Sequence, residues 1–165
     1  MLPIVAAALL LAGCSASPAA EPTRTPTPTP TPEYATENQV ASVIAAYESD
    51  WREVIDGAGE CRAGWVFDPG SLPGMSCWLR EQTLTTTAEL TIPDLGELEI
   101  PPSMVGLVAS TTAVLQGIVD VGAKTVCGDG VAEPADTPEC TEALGSLNNY
   151  YRMLEGELDS WGPYL

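Results

Sequence analysis

Five cysteines, Cys14, Cys61, Cys77, Cys127 and Cys140, carry the chemistry that this chain's spacing constrains most. Thiols pair as disulfides, hold zinc or accept a covalent group. No two of these stand in a C-x2-C arrangement, so a four-thiolate zinc site is disfavoured. The chain has no histidine. That excludes serine–histidine triads, cysteine–histidine pairs and imidazole metal sites. Lys124 stands in no GxxxxGK context, and Ser76 and Ser103 have no recognisable base. With 23 acidic residues, carboxylate pairs arise by chance, and none is singled out for glycoside chemistry. No catalytic residue is named, the chain is read as a non-enzyme, and no cofactor is expected.

Two weaker constellations remain. Asp129, Glu133, Asp136 and Glu139 make an acidic run of the kind that can offer calcium its oxygens. The spacing is not that of an EF-hand, and acids here also suit a helix N-terminus. Trp65, Phe67 and Trp78 lie near Cys61 and Cys77. Exposed, they would stack on a sugar or an apolar ligand; buried, they would cover a disulfide and the top of a core.

The elements that position these residues begin at the N-terminus. Leu2 to Ala12 form an apolar run too short to span a bilayer, which takes roughly 20 residues. It ends in Leu11-Ala12-Gly13-Cys14, which resembles a bacterial lipobox. The resemblance implies cleavage before Cys14 and a lipid on its sulfur, so residues 1–13 read as a signal peptide. It places the protein on the extracytoplasmic face of the cell membrane, held by acyl chains that each contribute about 0.8 kcal/mol per buried methylene. Such signals open with Lys or Arg, and here only the Met1 amine is positive, so the start is expected upstream.

Giving Cys14 to lipid leaves an even set, and two disulfides follow from an oxidising compartment. Four cysteines allow three connectivities. The sequential pairs Cys61–Cys77 and Cys127–Cys140 are favoured, because each brackets a Gly- and Pro-rich loop.

Residues 14–33 read as a linker. Its centre, Thr25 to Pro32, alternates Thr and Pro without a break, which favours an extended spacer and resembles O-glycosylated stalks. Residues 34–165 read as one all-α domain. A first helix is expected from Glu37 to Asp56 behind a capping box at Thr36, with Val40, Ile44, Tyr47 and Trp51 on one face and Gly57 and Gly59 as terminators. A second is expected from Cys77 to Leu90, although Thr-Leu-Thr-Thr-Thr has strand character. A third opens at Pro101-Pro102 and runs to Val126, with Val105, Val108, Thr111, Leu115, Ile118 and Gly122 inward. It is apolar enough to raise a transmembrane reading, but its polar residues favour a core helix. A fourth follows Thr137-Pro138, with Leu144, Leu147, Tyr151, Leu154, Leu158 and Trp161 at helical spacing and Gly162-Pro163 as its stop.

Four such helices make a four-helix up-down bundle with two disulfides. That topology gathers all four bridging cysteines at one pole, so crossed pairing stays open, and turns that pole away from the tether.

The net charge of −17 excludes a nucleic-acid partner and reads as a solvated surface. The lipobox, the stalk and the Ala/Gly/Thr-rich domain together resemble the small secreted lipoproteins of high-GC Gram-positive bacteria. The resemblance implies an anchor and transfers no activity. The expectation is a membrane-anchored structural or protein-interaction module with an envelope partner. The alternative is a ligand-binding lipoprotein with a pocket between helices or near Trp65 and Trp78.

Overall fold

Thr36 opens the first helix by a reciprocal cap. Its hydroxyl accepts from the Gln39 amide at 3.2 Å, and the Gln39 side chain accepts from the Thr36 amide at 2.8 Å. The computed structural model describes residues 33–67, 72–128 and 136–165, with 64–67 and 72–75 described as backbone alone. The signal segment, Cys14 and the Thr-Pro run lie outside the described residues. Within them the molecule is all-helical: α1 Glu37–Ala45, α2 Glu48–Phe67, α3 Leu72–Gly96, α4 Val105–Asp120, α5 Ala123–Cys127 and α6 Pro138–Trp161.

The expected first helix is two. It breaks at Ala46 and Tyr47 and restarts where the Tyr47 carbonyl accepts from the Trp51 amide. Val40, Ile44, Tyr47 and Trp51 keep one apolar period across the break. Val40, Ile44 and Trp51 are buried, and Tyr47 stacks on Trp51. The expected stop at Gly57 and Gly59 is not used. A glycine stop uses a left-handed residue, and both glycines stay helical inside α2.

The second expected helix exists and is longer at both ends. Its threonines have satisfied hydroxyls: Thr83, Thr85, Thr87 and Thr91 each donate to the carbonyl four residues back. These bonds let β-branched side chains sit in a helix interior, overriding the strand character of the run. Pro93 is accommodated in the last turn.

The third expected helix begins later and is interrupted. Residues 102–104 form a turn in which the Met104 amide donates to the Pro101 carbonyl. Gly122 then takes φ +62°, a left-handed conformation that ends α4 before α5 begins. Val105, expected inward, is half exposed, whereas Val108, Thr111, Leu115 and Ile118 are buried.

α6 starts as its sequence implies. Thr137 caps the Cys140 amide and Pro138 takes the first helical position. Cys140, Ala143, Leu147, Tyr151, Leu154, Leu158 and Trp161 are its buried stripe.

α2 packs on α3, α3 on α4, α4 on α6, and α6 returns to α2. Contacts run in opposite senses along neighbours: Trp51 meets Thr87 while Cys61 meets Cys77, and Thr111 meets Trp161 while Gly117 meets Tyr150. The interior is filled by Trp51, Trp78 and Trp161, each at most 1% exposed. The indole N–H of Trp51 donates to Thr87 at 2.7 Å, and that of Trp161 to Thr111 at 2.9 Å. These two buried rings so keep their one polar atom paired.

Candidate functional site

Among the described residues, one salt bridge is buried in the interior. Glu81 of α3 is 2% exposed, on a face it shares with Trp78 and Leu84. Arg62 of α2 reaches it, donating from Nη2 to Oε2 at 2.9 Å. The Tyr151 hydroxyl of α6 donates to the same oxygen at 3.1 Å. The Arg62 guanidinium carbon lies 5.9 Å from the Tyr151 ring centre, within cation–π range. Three helices thus meet on one carboxylate.

Its position follows from the chain. Arg62 directly follows Cys61, and Glu81 lies one helical turn beyond Cys77, so the Cys61–Cys77 bridge sets both helices in register for the ion pair. Arg62 Nε and Nη1 and Glu81 Oε1 are buried with no hydrogen-bond partner among the described residues. Removing one member of such a pair strands the other, typically at about 3–5 kcal/mol. Tyr151 feels its surroundings strongly. Burial first, and then the Glu81 charge, hold its hydroxyl well above the ordinary pKa of 10.0, although Arg62 pulls the other way.

Beside this cluster an open cleft of about 340 Å³ lies between α2 and α6. Ile55, Ala58, Gly59 and the Tyr151 ring line it, with Asp56, Asn148, Arg152 and Glu155. Asp56 and Glu155 are exposed. The buried Glu81 is closed off by its own partners.

The two disulfides join Cys61 to Cys77 and Cys127 to Cys140. The first ties α2 to α3 and the second ties α5 to α6. Gln82 Nε2 donates to the Gly128 carbonyl at 2.7 Å, linking the neighbourhoods of the two bridges.

No protein-family model, no curated protein and no solved structure matches this chain. The chemistry of the site rests on its own residues.

Of the residues singled out from sequence, Trp78 is 1% exposed and presents no surface for stacking. The side chains of Trp65 and Phe67 lie outside the described residues. Asp136 and Glu139 are exposed at the start of α6, whereas Asp129 and Glu133 lie outside the described residues. Among the described residues no cluster of three or more Cys, Asp or Glu side chains is placed to hold a metal. Ser103, for which the sequence nominates no base, donates to the Glu37 carboxylate at 2.7 Å. The Arg62–Glu81–Tyr151 cluster is absent from the sequence reading. Its one signal is an acid three residues from Trp78 and three from Leu84, on the stripe that packs inward.

Proposed function

We propose that this chain is a lipid-anchored extracytoplasmic lipoprotein, a non-enzymatic helical module that works by contact with another protein. The observation that carries the anchor is Leu11-Ala12-Gly13-Cys14 at the end of an apolar run, with a Thr-Pro spacer directly behind it. The remaining four cysteines pair internally, which fits an oxidising compartment and leaves Cys14 as the odd thiol. A core filled by three tryptophans favours contact over storage of an apolar ligand. In this reading α2, α3, α4 and α6 form an up-down-up-down bundle with the four cysteines at one end.

The test is metabolic labelling with palmitate, read with membrane fractionation. The parent protein is expected to take up label and sediment with membranes. Cys14→Ala is expected to lose the label and appear in the soluble fraction. Label retained by Cys14→Ala would sink the lipid assignment.

The cleft between α2 and α6 supports a second reading, a small polar ligand held between Asn148, Arg152 and Glu155. A ligand there would raise the melting temperature of the parent protein and not of Asn148→Leu.

A further inference from the structure

The two disulfides close loops of similar span in unlike surroundings. Cys127 and Cys140 are each 1% exposed. Cys61 and Cys77 are both partly exposed, and their neighbours Ala63 and Ser76 are exposed. Thiol–disulfide exchange requires a thiolate to reach a bridge sulfur, so accessible bridges are the labile ones and buried bridges wait for the fold to open. A reductant in solution therefore meets Cys61–Cys77 first.

The contact beneath that bridge is not sufficient by itself. Arg62 and Glu81 pair at 2.9 Å, but Arg62 Nε and Nη1 and Glu81 Oε1 are buried with no hydrogen-bond partner among the described residues. Attraction between two buried charges offsets their lost hydration only when the remaining polar atoms are also satisfied. Three atoms here are not, and water would satisfy all three if the helix ends parted. The bridge opposes that parting. It holds the Cα atoms of Cys61 and Cys77 at 5.4 Å, one residue from Arg62 and one helical turn from Glu81. Farther from the bridge, α2 stays on α3 through the Trp51–Thr87 bond and the Glu53–Arg80 ion pair. Parting is thus confined to the bridged end.

We propose that Cys61–Cys77 is a redox switch: a dithiol reduces it selectively, and the reduced end of α2 and α3 opens to hydrate Arg62 and Glu81, while Cys127–Cys140 keeps α5 on α6. One thiolate of the dithiol attacks a bridge sulfur and forms a mixed disulfide. The second thiolate displaces it, and the dithiol leaves as its own cyclic disulfide. Two electrons and two protons pass from the dithiol to Cys61 and Cys77, which end as thiols. The switch goes beyond the reading of the chain as a contact module, because it makes the shape of one end depend on thiols, and it does not depend on the anchor.

The test treats the full chain in mild detergent with dithiothreitol under native conditions, traps thiols with N-ethylmaleimide and maps the labelled peptides. Cys14→Ala is run alongside, so that no other thiol of the chain contributes. Cys61 and Cys77 are expected to label at least about tenfold faster than Cys127 and Cys140. Hydrogen exchange on the singly reduced protein is expected to quicken at least about tenfold at amides 58–62 and 77–82 and to stay unchanged in α4. Cys61→Ser with Cys77→Ser is expected to show the same pattern without reductant, and the singly reduced parent gives the reading if that variant does not fold. Arg62→Leu, Glu81→Leu and Tyr151→Phe together are expected to keep those amides protected after reduction, because no buried charge then gains from water. Equal labelling of the two bridges, or earlier labelling of Cys127 and Cys140, would overturn the proposal. So would a singly reduced protein that exchanges like the oxidised one, or opening undiminished in the apolar variant. Failed palmitate labelling with selective opening intact would remove the anchor and leave the switch standing.

Discussion

Tyr151 joins the ion pair to the core, and its environment predicts an alkaline weakness. The folded hydroxyl titrates well above its ordinary value because burial and Glu81 oppose a second negative charge. A raised pKa means that the folded state holds this proton more tightly than the unfolded chain does. The stabilisation is complete below about pH 10 and is lost as pH rises from there through the folded value. Tyr151→Phe removes the donor to Glu81 and should cost about 1–3 kcal/mol at pH 7, read by urea unfolding. The difference from the parent should shrink in the same measurement at pH 11, since the variant has no proton to lose there. Parallel loss of stability in both proteins on going to pH 11 would show that this hydroxyl is not the group responsible.

Helices here are held together by close approach as much as by apolar stripes. A β-carbon built on Gly117 of α4 would overlap the ring of Tyr150 on α6, so the two helices touch where the glycine leaves room. Gly117→Ala should therefore destabilise by about 1–3 kcal/mol through forced displacement of the ring. Gly57 in α2 has nothing within 4 Å of the same position, and Gly57→Ala should stabilise by about 0.5–1 kcal/mol. Thermal melts of the two variants should move in opposite directions. The pair also shows why element boundaries were read imperfectly. Glycine weakens a helix without ending it, and the bridge and ion pair beyond Gly57 and Gly59 carry α2 onward. The break at Ala46 left no mark because the apolar period passes through it. Thr83 to Thr91 lent the expected helix a strand character because the bonds that permit it run to backbone carbonyls, which a composition does not display. α6 was legible from cap to stop, since cap, first-turn proline and stripe all agree. The buried cluster was not, because Arg62, Glu81 and Tyr151 come from three helices and meet only through packing.

At the scale of the whole molecule, covalent and non-covalent restraint are unevenly placed. Each bridge closes a short loop, with separations of 16 and 13 residues, and contributes about 3 kcal/mol by constraining the unfolded chain. Replacing Cys127 and Cys140 together by Ser should lower the melting temperature by roughly 10 °C by calorimetry. The end where the chain enters has no such clip. There the Ala35 amide donates to the Glu99 carbonyl at 2.9 Å, Ser103 donates to Glu37 at 2.7 Å, and the nine residues of α1 follow. A pull delivered through Glu33 meets these few bonds first, and then the buried Val40, Ala41 and Ile44 that seat α1 in the core. α1 peels before the load reaches Trp51, whose buried ring and bond to Thr87 resist next. The domain is thus expected to yield from its unclipped end inward in single-molecule pulling, while the two bridges hold the far end together until the ring of helices itself gives way.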